Sequence, residues 1–128
     1  MISLALIRHG PTVWNEQKRL QGQTDIPLSP DGLKQVEGWS LPTEFSNFKW
    51  FASPLTRAQQ TAELLGLTVE TEPSIIEMHW GDWEGQTGKE LKEKLGDDCV
   101  NLVIVTTGTT AYRRTDGVAV VPLALLGP

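Results

Sequence analysis

A chain of 128 residues is long enough for one domain with a buried core and too short to expect two independent ones. A formal net charge of −5 opposes a polyanionic partner such as nucleic acid, and an ordinary apolar share of 39% opposes disorder throughout. The lone Cys99 excludes an internal disulfide and no Cys/His cluster has zinc spacing, so a reducing cytoplasm and no metal are expected.

The chain opens with Met1-Ile2-Ser3 directly on an apolar run, with no basic leader ahead of it, so no secretion signal is expected. Ile2 to Ile7 reads as a short strand covered on both faces, which places Arg8 and His9 at its carboxyl end, where Gly10-Pro11 stops it. Trp14 to Ser29 is polar and without clear periodicity, and reads as a long surface loop. Ser29-Pro30 is a helix cap with proline at the first position, followed by an apolar stripe through Leu33, Val36 and Trp39 that Gly32 and Gly38 weaken.

Trp50-Phe51-Ala52 is a second strand candidate. Ser53-Pro54 repeats the cap signal ahead of a helix carrying Leu55, Ala58, Ala62 and Leu65, and Gly66 supplies its stop. Thr68 to Thr71 suggests a third strand. Thr87-Gly88-Lys89-Glu90 is a capping box for a helix through Leu95 that ends at Gly96. After Asp98 the character changes: Leu102 to Val105 is a buried-strand run, Thr106 to Thr110 a Thr-rich turn, and Val118 to Leu126 an apolar stretch too short to span a bilayer and broken by Pro122. Strands alternating with helices make the class α/β, with a largely parallel sheet.

Such a sheet binds ligands beyond the carboxyl ends of its strands, where His9, Arg8 and Ser53 fall, with Arg57 one turn into the following helix. Helix N-termini and guanidinium forks hold phosphate, and a neutral imidazole can attack phosphorus if one ring N–H is held by an acceptor. The carbonyl of Gly10 is that acceptor candidate. Thr12 and Asn15 are candidate donors to phosphate oxygens. Glu77 is a candidate proton donor, provided burial or a neighbouring anion keeps it protonated. Taken singly, each residue has a plainer reading as an ion-pair partner or a solvated side chain. His79, two residues after Glu77, has no spacing that directs it to the phosphate. The five tryptophans read mostly as core or wall of the site.

The blocks "RHGPTVWN", "QGQTDIPLSPDG", "SPLTRAQQTAE" and "EMHWGDWEG", in this order, resemble the histidine phosphatase superfamily of phosphoglycerate-mutase-like enzymes. The resemblance runs to about Asp98. It implies a doubly wound three-layer α/β sandwich, here truncated, with residues 1–98 the N-terminal portion of the phosphatase domain. It implies His9 as the phosphorylated nucleophile, Arg8 and Arg57 as phosphate ligands and Glu77 as proton donor. Thr12, Asn15, Gln21 and Gly22 would line the pocket. The reaction needs no metal or other cofactor. The partner implied is a small phosphorylated metabolite, with no nucleic acid or membrane; the oligomeric state is left open.

The family also carries a second catalytic histidine in a Thr/Ser-His-Gly motif after a late strand, whereas this sequence has no histidine after His79. "LVIVTTGTT" has the look of that strand with Thr107 in the histidine's place, but it follows Trp83-Glu84-Gly85 too soon. Either the chain carries an internal deletion, or residues 99–128 are a divergent, frameshifted tail completing or capping the sheet. Read one nucleotide later with suitable codons, Thr109 to Val120 can give Pro-Pro-Pro-Thr-Gly-Gly-Arg-Thr-Glu-Ser-Pro-Trp, similar to a Pro-x-Gly-Glu-Ser-like family motif. The expected function is phosphomonoester hydrolysis through phosphohistidine, impaired by the loss. The alternatives are a catalytically inactive phosphate-binding remnant and mutase-type phosphoryl transfer. Without the late strand, the Ile2 to Ile7 strand keeps an uncovered edge, which predicts a marginally stable or aggregation-prone protein.

Overall fold

The computed structural model describes residues 4–96, 103–106, 110–113, 115 and 119–122. Cys99, Thr107 and most of the Thr-rich turn lie outside them. The chain divides into two compact units, Met1–Gly85 and Gln86–Pro128.

The first unit begins with a difference from expectation. Residues 4–7 form no strand, and Leu4 and Leu6 are 81% and 86% exposed. A strand buried on both faces needs backbone partners along an edge, and in this unit the described strands pair only with each other. Apolar composition alone did not supply them.

The loop after His9 is more ordered than its composition suggests. It contains a one-turn helix α1, Val13–Glu16, closed by a reciprocal cap. Asn15 N–H donates to Thr12 Oγ1 (3.2 Å) and Thr12 N–H donates to Asn15 Oδ1 (3.0 Å). Helix α2, Pro30–Glu37, starts as expected, with Gly32 N–H donating to the Ser29 hydroxyl at 3.0 Å and Pro30 at its first position. Val36 is fully buried, while Trp39 stays exposed. Gly32 does more than weaken this helix: a Cβ there would stand 2.0 Å from the Pro11 carbonyl oxygen, so only glycine lets α2 lie against the loop that leaves His9.

Strand β1, Trp50–Ala52, leads into helix α3, Thr56–Leu64, and strand β2, Val69–Thr71, then pairs in parallel with β1 in the register Trp50↔Val69 and Ala52↔Thr71. Helix α3 does not start on a Ser53 cap. Its N-cap is Leu55, without a side-chain bond, and the Asp25 carboxylate serves the start instead, accepting from Thr56 N–H (2.7 Å) and Thr56 Oγ1–H (2.6 Å). A carboxylate there meets both an orphan donor and the positive end of the helix dipole, which a neutral hydroxyl does less well. The unit's buried apolar side chains, Leu28, Val36, Ala52, Leu55 and Ala62, gather where α2, α3 and β1 meet. Trp50 packs edge-on to Phe45, with ring centroids 6.4 Å apart.

In the second unit, helix α4, Gly88–Leu95, opens on the expected capping box between Thr87 and Glu90 and ends at Gly96, whose φ of +54° favours glycine. Strand β3, Val103–Thr106, covers the described part of the run expected as a strand. It pairs in parallel with β5, Ala119–Pro122, and β5 pairs antiparallel with β4, Tyr112–Arg113. No helix among the described residues is long and apolar enough to cross a membrane.

Candidate active site

Alongside α3 lies an open cavity of about 270 Å³ whose wall includes Arg8, His9, Arg57 and Glu77. These are four of the eight residues singled out from the sequence. The structure therefore brings together a base, two guanidinium groups and a carboxylate in the first unit. Thr12, Asn15, Gln21 and Gly22 are not among the lining residues.

His9 sits half-buried where the N-terminal segment meets Gly10. Its Nδ1–H donates to the Gly10 carbonyl at 2.6 Å, as a carbonyl can only accept, so in the neutral ring the lone pair falls on Nε2. Burial lowers the imidazole pKa below its ordinary 6.5. The Gly10 bond opposes that, the Arg57 and Arg8 charges add to it, and Glu77 opposes it weakly. A neutral imidazole at neutral pH follows. The backbone that carries it is fixed by α3: Gly10 N–H donates to Thr61 Oγ1 (3.0 Å), and the Thr61 hydroxyl in turn donates to the Arg57 carbonyl (2.7 Å).

Arg57 is 2% exposed, an unusual burial for a cation. Two carbonyls of the preceding loop make it tolerable: Nη2 donates to Gly22 O (2.7 Å) and Nη1 to Thr24 O (3.0 Å). Burial still draws its pKa below the ordinary value, against the opposing charges of Glu77, Asp25 and Glu84. Gly22 takes φ +56°, and a Cβ on it would stand 2.1 Å from Glu84 Oε1, so glycine is required for this turn. Arg8 is exposed, and among the described residues no hydrogen bond or ion pair holds its guanidinium.

Thr12, fully buried, donates its hydroxyl to Gln21 Oε1 at 2.7 Å. With Asn15 closing the cap of α1, these three form a polar cluster that shapes the loop. The Glu77 carboxylate is exposed, and its Oε1 accepts from Met78 N–H at 2.9 Å.

Three residues that sequence reasoning passed over do much of the positioning. Thr61 ties His9's loop to α3, and Asp25 caps α3. Glu84 accepts from Gln23 N–H (2.9 Å), Thr24 N–H (2.9 Å), Trp80 N–H (3.0 Å) and the Thr24 hydroxyl. The Thr24 hydroxyl, followed by the three backbone donors, holds the Glu84 carboxyl down to about 2. Glu84 and Asp25 belong to the quoted blocks "EMHWGDWEG" and "QGQTDIPLSPDG", which was the one available signal; their partners are too distant in sequence for spacing to name them. The Trp80 and Trp83 rings stack at 6.2 Å with 11° between planes and stay partly exposed, so these two are neither core nor among the residues lining the cavity, against the expectation of core or wall.

The chain is similar to known proteins over most of its length. The histidine phosphatase superfamily (branch 1) matches over residues 4–112, past the point at Asp98 where the motif blocks end. An uncharacterized phosphatase, PhoE, of Bacillus subtilis is 34% identical over 105 residues, covering 77% of this chain and 53% of that protein. Among solved structures, a phosphoglycerate mutase from Thermus thermophilus superposes with a TM-score of 0.54 at 38% identity, covering 62% of this chain and 46% of that one. A mycobacterial glucosyl-3-phosphoglycerate phosphatase in complex with VO3 gives 0.58 at 32% identity, covering 67% and 45%. The chain spans about half the length of the curated relatives it matches. Its α/β elements are those of the phosphoglycerate-mutase-like fold, shortened. With the family's pattern matched over most of its length, the chain belongs to the histidine phosphatase superfamily (branch 1).

Proposed function

We propose that this chain takes the phosphoryl group of a small phosphomonoester onto His9 and passes it to water. The observation that carries the reading is the His9 ring: its Nδ1–H is committed to Gly10 O, its neutral form is favoured, and it shares a cavity wall with Arg57 and Arg8. In the first step Nε2 forms a bond to phosphorus as the ester P–O bond breaks, while Arg57 and Arg8 neutralise the phosphoryl oxygens. The leaving oxygen takes its proton from the Glu77 carboxyl group. Water then attacks phosphorus, gives its proton back to Glu77 and breaks the P–N bond, releasing phosphate. A second hydroxyl in place of that water would make the same site a mutase. No insertion between Arg57 and Glu77 supplies extra basic groups for one, so hydrolysis is the reading adopted.

A second reading has its own support. Arg57 is clamped whether or not chemistry follows, and the Glu77 side chain stands exposed. That suits a chain that grips phosphate without turning it over. Incubation with a labelled phosphomonoester, quenching in alkali and a search for acid-labile phosphate separates the two. Label on the wild type that is absent from His9→Ala supports the enzyme. Its absence from folded protein that binds phosphate refutes transfer and leaves the binding reading.

A further inference from the structure

We propose that the ester accepted here is that of a linear apolar alcohol, such as a medium-chain alkyl phosphate. The inference rests on reading His9 and Arg57 as the phosphoryl end. The cavity is not a compact bowl around those groups, because its wall follows α3 along its length. Leu55, Ala58, Ala62 and Leu65 all line it, and spacings of three and four residues put them on one helix face. The charged side chains that line it from α3 and the segment before it are confined to one part: Arg57 lies in the first turn of α3, and Thr61, one turn on, ties down the residue after His9. Beyond Thr61, the end of α3 and the segment through β2 line the cavity with Ala62, Leu65, Leu67 and Val69, none of them polar; of the later lining residues Ile75 is apolar and Glu77 interacts electrostatically with His9 and Arg57. From Arg57 to Leu65 the helix rises by about 12 Å.

A ligand that fills this trough therefore carries its charge near the first turn of α3 and an unbranched apolar tail toward its end. A polyhydroxylated alcohol would bring hydroxyls against Ala62, Leu65, Leu67 and Val69, whose side chains cannot partner them, which costs binding. An apolar tail meets no such cost, and gains with each methylene removed from water. Leu6, which also lines the cavity, is exposed, so the tail lies along the helix in a half-covered groove.

The test is calorimetric binding of n-alkyl phosphates from methyl to octyl, below their micellar concentrations, to the whole chain. Full burial of a methylene tightens binding by about fourfold. In this half-open groove the expected gain is roughly twofold to threefold per methylene. Leu65→Ser, at a half-buried position remote from the charged groups, is expected to remove the gain for the longer esters and to leave methyl phosphate unchanged. A flat series, no binding at all, or a slope that Leu65→Ser does not alter overturns the inference. So does hexanol binding as tightly as hexyl phosphate, which would make the trough a mere packing gap. Phosphohistidine trapping reports separately on the parent reading: label on His9 with a flat alkyl series sinks the substrate class alone.

Discussion

Replacing Glu84 by glutamine tests how the site is held together. The carboxylate accepts four hydrogen bonds from Gln23, Thr24 and Trp80, joining segments about sixty residues apart in sequence. Glutamine keeps one acceptor oxygen and turns an amide N–H₂ toward donors, so two of the four bonds are lost. The drop of the carboxyl from 4.5 to about 2 sets a ceiling of roughly 3.4 kcal/mol at about 1.36 kcal/mol per pH unit. The side chain is only partly buried, so solvent screening brings the expected loss at pH 7 to about 2 kcal/mol. Because the folded-state value lies below the unfolded one, the contribution is complete above pH 4.5 and fades as pH falls toward 2. Urea unfolding of wild type and Glu84→Gln at pH 7, 5 and 3 measures it. The gap should be unchanged between pH 7 and 5 and fall by more than half at pH 3. A gap under about 0.5 kcal/mol at pH 7, or one that persists in full at pH 3, would refute the assignment.

Thr61→Val keeps the shape of a buried side chain but leaves Gly10 N–H without its partner. We expect a loss of about 1–3 kcal/mol in urea unfolding and weaker phosphate binding; no change in either would show that α3 does not hold His9's loop. Asp25→Ala removes the acceptor at the start of α3 and should cost about 1 kcal/mol, with helix signal melting earlier by circular dichroism. His9 should titrate below 6.5 when followed by its imidazole proton resonances, because burial and the two arginines disfavour the cation. Since the unfolded chain then binds the extra proton more readily, this residue's contribution to stability is diminished at acid pH and recovers as pH rises through 6.5. A resonance titrating above 6.5 would contradict the burial argument.

Where local chemistry decided the outcome, the sequence was readable. Ser29-Pro30 and Thr87 to Glu90 cap their helices because a cap needs only residues three apart, and Trp50 to Ala52 is a strand flanked by its own turn signals. The motif blocks likewise led to Arg8, His9, Arg57 and Glu77, which line one cavity. What escaped notice depends on distant partners. Ile2 to Ile7 has a strand's composition, yet residues 4–7 are not paired, because pairing is a property of neighbours that composition does not guarantee. Ser53-Pro54 looks like a cap and is outcompeted by a carboxylate from residue 25, which no spacing rule near α3 could have named. Thr12 and Asn15 read as ligand donors, and their strongest visible commitments are to each other and to Gln21.

Residues 22–25 bear on how such a protein fails. Gly22 and Thr24 clamp Arg57, Gln23 and Thr24 bind Glu84, and Asp25 closes the start of α3, so four consecutive residues act as a clip between two parts of the chain. Opening that clip requires little of the packed interior to separate, since Val36 and its helix are held independently by Ser29 and Pro11. Backbone amides at positions 23, 24 and 56 should therefore exchange with solvent as one cooperative group, ahead of those in α2. The clamp on Arg57 would then be lost by a local opening while the rest of the unit keeps its structure, and on warming that opening would precede melting.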